Sequence, residues 1–76
     1  MKGLNHKHIH KDIMIRLRLE GKPQTQLAKE LGVTANLFQG IVEERGMMLT
    51  NYIKLTNWLE KPMEYYITKK LNKYEK

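Results

Sequence analysis

The stretch QTQLAKELGVTANLFQGI, residues 24–41, decides how this chain folds. It predicts two short helices that meet at a tight turn at Gly32, because glycine adopts a left-handed backbone at little cost. Ala28 is small enough for the two helices to cross closely. The seam between the helices consists of apolar residues at helical spacing, which are Leu27, Leu31, Val33, Phe38 and Ile41. This order is typical of a helix-turn-helix, and a generic helical hairpin within a bundle is the alternative interpretation.

Composition restricts the class of protein. The 76 residues predict a single domain, residues 1–76, and the absence of cysteine excludes disulfides and thiolate metal sites. Residues 1–11 are polar and basic, and no apolar run approaches the roughly 20 residues that span a bilayer. We therefore expect a cytoplasmic protein with no membrane partner. A formal net charge of +6 favours a polyanionic partner.

The whole chain has helical periodicity, with Gly and Pro at its interruptions. The first helix has a cap at Asn5 and a stop at Gly21, and the third has a cap at Thr34 and a stop at Gly46. We expect Ile15 and Leu19 to lie off the apolar face of the first helix. The predicted helices are His6–Glu20, Pro23–Leu31, Ala35–Glu44, Thr50–Leu59 and a fifth from Pro62 to about residue 74.

The chain resembles the Cro and lambda-repressor type of helix-turn-helix regulator, also called the xenobiotic-response-element family. The similarity covers roughly Ile13–Ile67, through LEGKPQTQLAKELGVTANLFQGI (residues 19–41) and YIKLTNWLEKPMEYYI (residues 52–67). The resemblance implies a compact, all-α, five-helix domain with its helix-turn-helix at about residues 23–44. It also implies binding to double-stranded operator DNA, usually as a homodimer, and control of transcription.

The outer face of the third helix is the predicted surface for reading DNA bases. Helical geometry turns Leu37, Phe38 and Ile41 inward, so the candidate base contacts are Ala35, Asn36, Gln39 and Gly40. Side-chain amides suit adenine, which offers both a donor and an acceptor in the major groove. Thr34, Lys22 and Arg45 are candidate phosphate contacts, and the resemblance adds Gln24. An ordinary solvated surface is the alternative for each of these residues.

Three features depart from the family pattern, and two of them, the acidic pair and Gly40, favour a second hypothesis. Pro23 stands where a capping Ser or Thr is usual, Glu43 and Glu44 place acidic charge at the end of the third helix, and Gly40 replaces a longer side chain. These features are compatible with a protein-binding antagonist or co-regulator that keeps the fold without strong DNA binding.

The last helix has two interpretations. Tyr65, Tyr66, Ile67 and Leu71 form a self-association surface, or the helix folds back and closes the monomer core. The residues at helical spacing in this segment are Met63, Ile67, Leu71 and Tyr74. Glu64 near its start and three lysines near its end, Lys69, Lys70 and Lys73, suit the helix dipole.

The histidines near the N-terminus do not predict a metal site. His6 and His10 are four residues apart, a spacing that can bind a metal, but no cysteine accompanies them. Surface histidines are the favoured interpretation. No catalytic motif stands out, so we predict no enzyme activity and no cofactor.

Overall fold

A computed structural model of the chain describes residues 3–67. Within that range the protein is all-helical. Its elements are α1 (His6–Glu20), α2 (Gln24–Leu31), α3 (Asn36–Val42), α4 (Leu49–Leu59) and a short 3-10 helix (Met63–Tyr66). In this range, β-pairing is limited to one isolated antiparallel bridge between Leu4 and Ile67.

The bounds of α1 agree with the prediction. Asn5 is the N-cap, and its side-chain oxygen accepts a 3.0 Å hydrogen bond from the backbone N–H of His8. Gly21 ends the helix with a left-handed backbone, φ 66°. Ile15 and Leu19 lie off the buried face, and 79% of Leu19 is exposed.

The turn between α2 and α3 has the conformation that Gly32 predicts. Its φ is 73°, and the next residue, Val33, donates its backbone N–H to the carbonyl of Ala28 at 3.0 Å. Pro23 is the residue before α2 and has an extended backbone, so the helix begins one residue later than predicted.

Helix α3 is shorter than predicted at both ends. Ala35 takes the N-cap position, no side chain caps the helix, and the predicted cap at Thr34 is wrong. At the other end Glu44 adopts φ 59°, and the N–H of Arg45 bonds the carbonyl of Gly40 at 2.8 Å. This bond and the left-handed backbone at Glu44 end the helix before Gly46. A left-handed backbone is normally costly for a residue other than glycine.

The predicted fifth helix does not run through residues 63–67. Those residues make a 3-10 turn, and Ile67 is extended, with φ −92° and ψ 128°. The carbonyl of Tyr66 accepts a 2.7 Å bond from the N–H of Asn5, so this segment pairs with the start of the chain. The predicted helical positions Lys69, Lys70, Leu71 and Tyr74 lie outside the described residues.

One hydrophobic cluster holds the helices together. The buried apolar residues are Leu4, Ile9, Ile13, Leu17, Leu27, Ala28, Phe38, Ile41, Met47, Tyr52, Leu55, Leu59 and Tyr66. From the predicted seam, Leu31 and Val33 pack at the edge of this cluster. Thr56 is a buried polar residue, and its hydroxyl donates to the carbonyl of Tyr52 at 3.1 Å. Over residues 3–67, no helix combines the length and apolar character that a membrane crossing requires.

Candidate nucleic-acid interface

Helix α3 has one buried face and one exposed face. Phe38 and Ile41 are almost fully buried, and α3 packs against α1 on that side. Ala35, Asn36 and Gln39 are exposed. The predicted division agrees with the structure at these five positions, whereas Leu37, predicted inward, and Gly40, predicted outward, are both half-buried.

An open groove of about 220 Å³ lies between α3, the connection after it and the start of α4. Among its lining residues are four of the predicted DNA contacts: Thr34, Asn36, Gly40 and Arg45. Asn51 of α4 also lines the groove, although it is not among the residues predicted to contact DNA. Nothing in the local sequence relates Asn51 to Asn36, since they meet only through the packing of α4 against the rest of the domain.

Glu43 connects two of the predicted contact residues. Its Oε2 accepts a 2.9 Å hydrogen bond from Nε2 of Gln39, and its Oε1 lies 3.0 Å from Nε of Arg45. The Arg45 side chain passes over Gly40, where a Cβ would lie 3.7 Å from the arginine Nε. The carbonyl of Arg45 accepts a 2.8 Å hydrogen bond from the His6 ring, which ties the connection after α3 to α1.

Lys22 is an ion-paired residue rather than a free cation. Its Nζ lies 2.6 Å from Glu30 and 3.0 Å from Glu20, and 16% of its side chain is exposed. The hydrogen bond to Glu30 raises the pKa of Lys22 above its ordinary value, with a second contribution from Glu20. The pKa of Glu30 is lowered mainly by the same lysine, and that of Glu20 by its hydrogen bonds to Arg16 and Lys22. Two carboxylates therefore compete with any phosphate for Lys22, and its predicted phosphate contact stays a prediction.

Gln24 also has an internal partner. Its Nε2 donates to the sulfur of Met14 at 3.1 Å, and the residue is half-buried against α1. A thioether is a weak acceptor, so this contact leaves most of the hydrogen-bonding capacity of the amide unused.

Other cations stand near the turn between α2 and α3. Nζ of Lys54 donates to the carbonyl of Gly32 at 3.3 Å, and Lys54 is exposed. Lys29 is exposed in the last turn of α2. Within residues 3–67, neither lysine makes an ion pair.

The described residues of the predicted self-association surface differ in exposure. Tyr66 is 1% exposed and its phenol bonds Asp12, whereas Tyr65 is 44% exposed. Ile67 is half-buried, and Leu71 lies outside the described residues. The Tyr66 ring is buried and closes the monomer core, which corrects its predicted place in a self-association surface.

The N-terminal histidines have structural contacts. The ring of His8 packs against Tyr65 and Tyr66, with centroid distances of 5.2 and 4.9 Å. In the described part of the chain, no group of three or more His, Cys, Asp or Glu side chains is arranged to hold a metal ion.

Comparison of the chain with protein-family models, with curated proteins and with solved structures finds no match.

Proposed function

We propose that this domain binds double-stranded DNA through the exposed face of α3 and regulates transcription in that way. One observation carries the proposal: Thr34, Asn36, Arg45 and Asn51 line a single groove beside α3. Helix α3 has seven residues, about 10 Å of helix, and the major groove, about 12 Å wide, admits a helix. Together, α2, the left-handed turn at Gly32 and α3 act as the helix-turn-helix.

Asn36 and Gln39 are the proposed base readers. They are three residues apart on α3, so both side chains lie on its exposed side. Each amide can bond the N6 and N7 positions of an adenine, with about 1–3 kcal/mol of discrimination. Ala35 offers a methyl group to a thymine, whereas the Arg45 side chain lies over Gly40 and must move aside before DNA can approach the backbone there.

Arg45, Thr34 and lysines near the turn are the proposed phosphate contacts. Arg45 can exchange its exposed contact with Glu43 for a phosphate, since exposed ion pairs are worth little. Lys54 and Lys29 carry charge without an ion pair in the described residues. The net charge of +6 supports the attraction to a polyanion.

Fluorescence anisotropy with a pool of labelled random duplexes tests the proposal. We expect binding that weakens steeply as salt rises. Arg45→Gln should weaken binding to all sequences and flatten the salt dependence by about one unit. Gln39→Ala should relax the choice at one or two base pairs of a site selected from random DNA. Absence of duplex binding at about 50 mM salt would reject the proposal.

A second candidate is a protein-binding antagonist or co-regulator. It is favoured by exposed apolar side chains at the end of α3 and at the start of α4: Val42, Met48 and Leu49 are 53%, 67% and 54% exposed. This candidate would be supported if the parent chain binds no duplex and binds a protein partner. Binding of that partner should be lost in Leu49→Ser and retained in Gln39→Ala.

A further inference from the structure

Glu43 holds the side chain of Gln39 in one orientation. A carboxylate has only acceptors, whereas a glutamine side chain ends in an NH₂ donor and a carbonyl acceptor. The 2.9 Å contact with Glu43 therefore requires the NH₂ end of Gln39 to face Glu43. The carbonyl oxygen Oε1 is turned the other way.

The amide keeps a usable edge in that orientation. Nε2 carries two hydrogens, and a single bond to Glu43 uses one of them. When Glu43 takes the hydrogen that points away from Oε1, the second hydrogen and the carbonyl oxygen lie side by side and form a fixed pair of one donor and one acceptor.

Arg45 restrains Glu43 from the other side. Its Nε lies 3.0 Å from Oε1 of Glu43, so each carboxylate oxygen has its own partner. All three side chains are on the surface, and 50% of Glu43 is exposed. The group is accessible to a large ligand, and Arg45, Glu43 and Gln39 form one continuous chain of contacts.

We propose that Glu43 is a positioning residue that selects adenine at the base pair read by Gln39; this rests on the proposed binding of DNA. Adenine presents a donor at N6 and an acceptor at N7, which match the oxygen and the remaining N–H of the amide. Guanine presents two acceptors, and its O6 meets the amide oxygen unfavourably. Because Glu43 prevents the Gln39 amide from rotating by 180°, the amide continues to discriminate adenine from guanine.

Glu43 lowers the affinity for DNA in general and raises the selectivity for one base. A negative charge beside the phosphates weakens binding to every duplex, and Glu44 has the same charge one residue further along. Of these two glutamates, Glu43 is the one with a hydrogen bond to Gln39 in the described part of the chain, so we expect Glu43 and not Glu44 to affect which base is chosen. The two glutamates can thus be compared as a matched pair.

Glu43→Gln and Glu44→Gln, measured against a selected duplex and its single-base-pair variants, test the inference. Both should tighten binding to random duplexes, since each removes one negative charge, and Glu43→Gln should do so more because it also releases Arg45 from its ion pair. A glutamine at 43 can donate or accept and no longer fixes the amide of Gln39. We therefore expect Glu43→Gln alone to lose about three- to tenfold of the discrimination at the base pair that Gln39→Ala identifies. Equal discrimination in the two variants would overturn the inference and leave the proposed DNA binding intact.

A measurement on the free protein gives an independent test. In ¹⁵N-labelled protein, the two side-chain NH₂ protons of Gln39 should have unusually separated chemical shifts in the parent and in Glu44→Gln. That separation should diminish in Glu43→Gln. Unchanged Gln39 signals in Glu43→Gln would overturn the inference, whereas failure of the parent to bind any duplex would reject both it and the proposed function.

Discussion

The phenol of Tyr66 donates a 2.7 Å hydrogen bond to Oδ2 of Asp12. This bond joins the last described segment to α1, across 54 residues of sequence. Tyr66 is almost fully buried, and its backbone carbonyl bonds Asn5 on the same side of the domain. The N-terminal helix and residues 63–67 therefore stabilise each other.

Tyr66→Phe should lower the free energy of unfolding by about 1–2 kcal/mol, because it removes a hydrogen bond to a charged group. Urea denaturation followed by circular dichroism measures the change. Tyr65→Phe is the matched control, since that ring is 44% exposed, and it should change stability by less than about 0.5 kcal/mol. Equal effects of the two substitutions would contradict the role given to the Asp12 contact.

Stability should fall at alkaline pH. Burial raises the pKa of Tyr66, and the hydrogen bond to Asp12 raises it further; burial also raises the pKa of Tyr52. The unfolded chain releases these phenolic protons near pH 10, whereas the folded protein retains them. Stability is therefore complete below about pH 10 and is lost above it, by up to about 1.4 kcal/mol per pH unit for each tyrosine.

Urea midpoints between about pH 8 and pH 11 measure this dependence. The decline should be less steep in Tyr66→Phe, which lacks one of the two phenols, than in the parent. A parallel decline in the parent and the variant would show that Tyr66 does not contribute to it.

Two glycines should respond to alanine in opposite directions. Gly32 has φ 73° and an added Cβ meets only Nζ of Lys54 at 3.7 Å, so Gly32→Ala should destabilise by about 1–2 kcal/mol through backbone strain. Gly40 lies inside α3, where an added Cβ makes ordinary contact with Arg45. Gly40→Ala should stabilise by about 0.5–1 kcal/mol. Thermal unfolding of the two variants tests the pair, and destabilisation by Gly40→Ala would contradict the contact geometry at that position.

Two lysines should differ in their effect on DNA binding. Lys54 has no carboxylate partner in the described residues, and Lys22 has two. Lys54→Gln should flatten the dependence of log K on log salt by about 0.9, the amount expected for one phosphate contact. Lys22→Gln should leave the salt dependence nearly unchanged. Anisotropy titrations at several salt concentrations measure both slopes, and a larger change for Lys22→Gln would reverse the assignment.

Local sequence predicted much of the fold because local interactions form it. Asn5, Gly21 and Gly32 delimit helices through bonds to residues only a few positions away. The spacing of Leu27, Phe38 and Ile41 fixes which side of each helix is apolar. For the candidate interface, the same helical geometry predicted that Ala35, Asn36 and Gln39 face outward.

Tertiary structure decided what depends on distant partners. The pairing of residues 63–67 with the N-terminal segment replaces the expected helix and buries Tyr66. The packing of α4 against the domain brings Asn51 to the groove beside α3. The ion pairs of Lys22 with Glu20 and Glu30 exist because α1 and α2 meet at a corner. For Tyr66 and Asn51 the free energy comes from contacts between segments far apart in the chain, and periodicity, caps and charge counts contain no information about those contacts.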